Sequence, residues 1–189
     1  MGKIKIIAFF GESGAGKDTA LTLIKELKLD IPVNYIVSGT TRPPRDYETA
    51  GIDYHFYTNE EFAMKVLDGS MLEAVEFNNW FYGTSIDSLK EDSINFGVFN
   101  PAGIECLLED SRLVVLPVRV AATDKNRLLR VLNREDNPDC GEIIRRYTTD
   151  KKDFSNIPFE HYVINNNTEE KESFKAELKS LINCFVQNK

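Results

Sequence analysis

Seven residues near the start of the chain, Gly11-Glu12-Ser13-Gly14-Ala15-Gly16-Lys17, have the types and spacing of an anion cradle. Their glycines let the backbone wrap an oxyanion without a Cβ clash, and successive N–H groups turn inward. An apolar run, Ile4 to Phe10, precedes them and a helical pattern follows, the setting a phosphate-binding loop requires. The helix N-terminus adds about half a positive charge, and Lys17 reaches the outer phosphates of a bound polyphosphate. The strict motif places Ser or Thr directly after the lysine, where its hydroxyl holds Mg²⁺; here that position is Asp18, and Thr19 comes next. Two readings stand side by side. Thr19, or Asp18 directly or through water, helps hold a metal, or Asp18 merely favours the first helical turn.

A second group lies farther along. Ser38-Gly39-Thr40-Thr41-Arg42-Pro43-Pro44-Arg45 sets two arginines three residues apart on a proline-stiffened segment. A guanidinium grips phosphate as a planar fork, and Tyr54 and Tyr82 offer phenolic donors. Alone, two such arginines read equally as a solvated surface pair. Glu73 says more. In Met71 to Phe77 it shares a strand face with Met71, Val75 and Phe77, so a carboxylate points among apolar neighbours. Burying it unpaired is costly. Guanine presents two adjacent donors, N1–H and the exocyclic amine, that one carboxylate accepts together; the bland reading is a glutamate at a sheet rim reaching water.

The elements that position these groups alternate along the chain. Ile4 to Phe10 reads as a buried strand, and Ala20, Leu23, Ile24 and Leu27 line one face of a helix. Tyr35-Ile36-Val37, Ile94 to Phe99, Leu113 to Val120 and Tyr162-Val163-Ile164 are further strands. Thr123 suits a helix cap, and the last helix starts with Glu169 and Glu170 and carries Phe174, Leu178, Leu181, Ile182 and Phe185 on one stripe. Strand and helix in alternation predict a parallel α/β sheet covered on both faces. From Ser38 to about Ser85 a polar, aromatic-rich stretch with strand-like pieces at Asp53 to Tyr57 and Met71 to Phe77 reads as an inserted flap. Arg134 to Gly141 is a polar loop between two arginine-bearing helices.

Composition narrows the classes. The chain has 189 residues, 42% hydrophobic and 28% charged, which suits one globular domain with insertions. Its net charge of −7 disfavours general nucleic-acid binding, so any anion must be held by a local cluster of cations or N–H groups. Cys106, Cys140 and Cys184 are scattered, with neither a disulfide framework nor zinc-site spacing. The apolar opening run is interrupted by Lys5 and is far shorter than the ~20 residues of a membrane span. A soluble, cytoplasmic protein without a membrane partner is expected. His55 and His161 show no partner spacing, and Trp80 suits flap packing.

Taken together, Ser38 to Arg45, Gly51-Ile52-Asp53-Tyr54, Met71-Leu72-Glu73 and Phe81-Tyr82-Gly83-Thr84 resemble the guanylate kinase signature, in order and at near-family spacing. The similarity runs over almost the whole chain, strongest from Gly11 to Thr84. It implies a P-loop NTPase-type three-layer α/β fold, with a core at 1–37, 86–133 and 154–189, a nucleoside-monophosphate-binding flap at 38–85 and a lid at 134–153. The resemblance implies phosphorylation of GMP or dGMP by ATP with Mg²⁺, in a monomer or homodimer. Gly11, Glu12, Ser13, Gly14, Ala15, Gly16, Lys17, Asp18 and Thr19 would cradle ATP phosphates, with Asn166 near the adenine. Arg42, Arg45, Tyr54 and Tyr82 would hold the GMP phosphate, while Ser38, Glu73 and Thr84 would read the guanine. Lys17, Arg134 and Arg146 would serve the transferring group, with Arg130 and Arg145 close by in the sequence. One departure stands out: where the family shows Asp-x-Asp, this chain has Val98-Phe99-Asn100. Asn100 still hydrogen-bonds near the monophosphate but brings no charge. That leaves room for a kinase of other nucleoside monophosphates, and more distantly for a silent binding module.

Overall fold

The computed structural model describes residues 3–46, 48–77, 79–134, 136–167 and 171–187. They form strands β1 (Ile4–Phe10), β2 (Val33–Tyr35), β3 (Gly39–Thr40), β4 (His55–Phe56), β5 (Met71–Phe77), β6 (Trp80–Ser85), β7 (Ile94–Val98), β8 (Leu113–Ala121) and β9 (Tyr162–Asn165). The helices are α1 (Lys17–Glu26), α2 (Asn59–Leu67), α3 (Pro101–Glu109), α4 (Asp124–Leu132), α5 (Cys140–Asp153) and α6 (Lys171–Gln187). One sheet has five strands in the order β2-β7-β1-β8-β9, with β2 parallel to β7 and β8 parallel to β9. The other has four, ordered β4-β3-β6-β5. The expected α/β architecture is present.

The chain divides into two compact units, one comprising Met1–Ala8 and Asp30–Val115, the other Phe9–Leu29 and Leu116–Lys189. In the first, Ile6 and Ile7 of β1, Phe96 of β7 and Ile104 and Leu107 of α3 are buried. Asn95 is buried with them: its Nδ2 donates to the carbonyls of Lys5, Lys90 and Ser93, and its Oδ1 accepts from Asn34 Nδ2 and Lys90 N–H. That satisfied polar knot explains why β2 runs over Val33–Tyr35 rather than Tyr35 to Val37. Asn34 stands opposite Asn95 in the ladder, and Ile36 continues only as a single N–H to Phe96. The expected strand at Asp53 to Tyr57 likewise shrinks to His55–Phe56, because Asp53 closes a turn by accepting from Thr49 N–H. Thr58 and Glu61 form a reciprocal capping box on α2.

In the second unit the core is Phe9 and Phe10 of β1, Ala20, Leu23 and Ile24 of α1, Val118 and Val120 of β8, Ile164 of β9, and Phe174, Leu178 and Ile182 of α6. Of the expected stripes, Ala20, Leu23 and Ile24 of α1 and Phe174, Leu178 and Ile182 of α6 are buried, whereas Leu27, Leu181 and Phe185 are half-buried. Glu169 and Glu170 lie outside the described residues. Thr123 caps α4 as expected, its hydroxyl accepting from Asn126 N–H, and Asp139 caps α5 in the same way. His161 packs edge-on against Phe10 and Phe159 while His55 is exposed. None of the three cysteines forms a disulfide among the described residues. Among the described residues no helix is long and apolar enough to cross a membrane.

Candidate active site

The expected site residues fall into two clusters, one in each unit. In the second unit β1 ends at Phe10, and the loop from Gly11 leads into α1. Gly16, at φ 103°, is the N-cap of α1, and a Cβ there would run into the carboxamide nitrogen of Asn166. Asn166 is buried and donates that nitrogen to the Ala15 carbonyl at 2.9 Å, so it braces the loop directly. Lys17 turns back over the loop, its Nζ donating to the Gly11 and Glu12 carbonyls at 2.7 and 3.2 Å. Burial lowers the pKa of this ammonium, while the charges of Asp18, Asp150 and Glu12 work to keep it protonated. The first N–H groups of α1 have no carbonyl one turn back within the helix, which leaves them aimed at an anion. Asp18 and Thr19 are exposed on that same first turn.

Arginines surround the loop, though not only the expected ones. Arg130 donates to the Gly14 and Ala15 carbonyls at 3.4 and 3.3 Å and to the Asn166 carbonyl at 2.7 Å. Arg127, buried, donates Nε to the Ser13 carbonyl and pairs with Asp150. Arg119 pairs with Glu12 at 2.7 Å. Arg146 bonds Glu142 one turn earlier on α5 and lines a cavity with Ser13, Arg127, Tyr147 and Asp150. Arg145 shares Glu142, and the two guanidiniums help pull that carboxyl down to about 2: the Arg145 bond leads, opposed by partial burial and joined by Arg146. Arg134 lies exposed just beyond α4.

In the first unit, Glu73 and Thr84 stand opposite each other in the β5–β6 ladder. Glu73 is 6% exposed and Thr84 wholly buried. Burial pushes the Glu73 carboxyl up to about 7, and a hydrogen bond with Thr84 draws it partly back. Ser38 Oγ is 3.5 Å from Thr84 Oγ1. The N-terminal turn of α3 closes the cluster: the Cβ position of Gly103 is 3.2 Å from Glu73 Oε2 and from Asn100 Oδ1. Asn100 accepts from Gly103 N–H at 2.7 Å and so caps α3.

Arg42, Arg45, Tyr54 and Tyr82 also come together. Arg42 stacks over the Tyr54 ring at 5.5 Å and bonds Tyr82, and the two tyrosine rings meet edge to face. What joins the arginines is Glu48, which the sequence reading missed. Its carboxylate takes both oxygens' worth of contacts from Arg42 at 2.7 and 2.8 Å, and also accepts from Arg45 Nη1 and Arg45 N–H. Burial alone would raise the Glu48 pKa, but the Arg45 N–H and the two guanidiniums outweigh it, leaving it below the ordinary value. Arg42 Nη2 alone reaches both carboxylate oxygens, while its Nη1 donates to the Pro43 carbonyl at 2.6 Å.

No group of three or more His, Cys, Asp and Glu side chains able to hold a metal occurs among the described residues. The exposed oxygens of Asp18 and Thr19 beside Lys17 fit a hard cation such as Mg²⁺, which keeps several waters and takes one or two protein oxygens. Arg127 and Asp150 carried no local signal for this pairing, since they meet from α4 and α5, 23 residues apart.

The family model described as guanylate kinase matches residues 3–183. A guanylate kinase of Frankia casuarinae is 37% identical over 73% of this chain and 67% of its own length. One of Helicobacter hepaticus is 31% identical over 96% of this chain and 92% of its own. The crystal structure of guanylate kinase from Anaplasma phagocytophilum shares the fold with a TM-score of 0.70, at 23% identity over 100% of this chain and 89% of that one.

Proposed function

Since the chain belongs to the guanylate kinase family, we propose that it transfers the γ-phosphoryl group of ATP to GMP or dGMP, giving ADP and GDP or dGDP. The observation that supports guanine as the base is Glu73, a carboxylate buried beside Thr84 with an apolar strand around it. Ionised, it accepts from N1–H and the exocyclic amine of guanine together. Adenine in the same pose offers no such pair and would strand the charge, at a cost of roughly 1–3 kcal/mol. Thr84 and Ser38 complete the base contacts, and Asn100 hydrogen-bonds near the monophosphate. Arg42, Arg45, Tyr54 and Tyr82 take the monophosphate, exchanging Glu48 for phosphate oxygens.

The loop from Gly11 to Thr19 holds the ATP phosphates, with Asn166 bracing it. Lys17 neutralises charge on the transferred group, and Arg134 and Arg146 close over it from the segment at 134–153, acting as a lid, as 38–85 acts as the flap. When bound, Mg²⁺ supplies further charge neutralisation, held by Thr19 or Asp18 with water. No general base is needed, because the attacking phosphate oxygen is already ionised near pH 7. Excluding water matters more, since water would accept the phosphoryl group instead.

ADP release measured across ribo- and deoxynucleoside monophosphates, with Mg²⁺ titrated, tests the reading. Turnover confined to GMP and dGMP supports it; comparable turnover of AMP or dTMP rejects guanine selectivity. A broader monophosphate kinase is the second reading, favoured by Asn100, whose oxygen is engaged in capping α3 and which carries no charge. GMP binding without ADP release would point instead to a silent binding module.

A further inference from the structure

Carbonyls of the phosphate loop are held by cations one after another: Gly11 and Glu12 by Lys17, Ser13 by Arg127 at 3.0 Å, Gly14 and Ala15 by Arg130. Ser13 is held at both its polar backbone atoms, because its N–H donates to Asp150 Oδ2 at 2.7 Å. The two side chains that grip it are bonded to each other, Arg127 Nη2 to Asp150 Oδ2 at 2.8 Å, and both are buried, at 3% and 4% exposure. Arg127 also reaches Asp124 at 3.1 Å and approaches Glu12 to 3.9 Å. A buried ion pair is a poor source of stability, because desolvation offsets its attraction. Its directional bonds nevertheless fix the backbone they engage.

We infer that Arg127 and Asp150 are positioning residues which together set the Ser13 segment and hence the direction of the loop's remaining N–H groups toward the triphosphate. The inference rests on the reading of this loop as the ATP-phosphate site. Asp150 consumes the Ser13 N–H, so the pair acts on the shape of the loop rather than on the nucleotide. Arg127 also matters for charge: without it the buried Asp150 carboxylate would repel the phosphates.

Calorimetric binding of the non-hydrolysable β,γ-imido analogue of ATP with Mg²⁺, GMP binding, and thermal melts test this on three variants of the full chain. The Arg127→Leu/Asp150→Ala double variant replaces the pair with apolar groups and should melt within a few degrees of the unsubstituted protein. Its analogue affinity should fall about tenfold or more while GMP affinity changes less than about twofold. Asp150→Asn, which keeps an acceptor for Ser13 N–H, should lose no more than about threefold, and Arg127→Lys, which loses the fixed fork, about fivefold. Unchanged analogue affinity in the double variant, or equal loss toward analogue and GMP, overturns the proposal. Should the double variant not fold, Arg127→Lys decides: unchanged analogue affinity there overturns it. Absence of analogue binding by the unsubstituted chain would instead defeat the reading of the loop itself.

Discussion

Glu73 and Thr84 face each other across the β5–β6 ladder, and the threonine hydroxyl bonds a carboxyl group that is 6% exposed. No cation is among the influences that set this carboxyl's pKa; burial dominates, and the hydroxyl only moderates it. A site of this kind is unfavourable for charge, and the proposed guanine would bring the two donors that offset it.

Glu73→Gln tests that directly. The amide keeps one acceptor but turns a donor toward a guanine donor, so KM for GMP should rise about 10–100-fold, equivalent to 1–3 kcal/mol. KM for ATP should stay within about twofold, because the phosphate loop is untouched. Steady-state kinetics with each substrate varied in turn checks it, and an equal rise in both constants would reject the role.

The same carboxyl ties stability to pH. A folded-state pKa of about 7 against an ordinary 4.5 means the native protein binds more protons than the unfolded chain across that window. Ionisation therefore opposes folding as pH rises from 4.5 to 7, and the loss is complete above 7. It amounts to roughly 3 kcal/mol for a group this buried. Denaturation of the ligand-free protein at pH 5 and pH 8 should show the unsubstituted chain losing stability relative to Glu73→Gln by that order. Parallel curves would contradict it.

Lys17→Ala removes the one ammonium bonded to the Gly11 and Glu12 carbonyls. Loss of a cation from the transferring group should cost about 10²–10³-fold in kcat. GMP affinity, measured by calorimetry, should remain within about twofold, since the proposed GMP contacts belong to other residues. A variant that keeps a tenth of the activity would remove Lys17 from the reaction.

The phosphate loop, the apolar stripes of α1 and α6 and the strand from Met71 to Phe77 were legible because local spacing determines them: glycines before a lysine, a period near 3.6, an alternation of two. Glu73 was legible as a charge on an apolar face. Glu48, Arg127 and Asp150 were not, because an acid or arginine on a loop or helix reads as solvated until a distant residue covers it. Asn100 was read as a ligand contact, yet its oxygen caps α3, a local use available to any Asn before a proline-led helix. The early end of β2 was hidden for a related reason. Asn34, half-buried, bonds the buried Asn95 across the ladder, a partner 61 residues away in the sequence.

Glu48 yields the last prediction. It is 5% exposed and neutralises Arg42, itself 10% exposed, so Glu48→Ala leaves a nearly buried guanidinium without its carboxylate. Breaking such a pair costs on the order of 3 kcal/mol, which for a domain of this length lowers Tm by about 6–12 °C. A monophosphate placed between Arg42 and Arg45 restores the missing negative charge. Saturating GMP should therefore raise the Tm of Glu48→Ala by several degrees more than it raises that of the unsubstituted protein. Differential scanning of both proteins with and without GMP measures the gap. Equal shifts would mean that the phosphate does not take the carboxylate's place, and that Arg42 and Arg45 serve the flap's own structure instead.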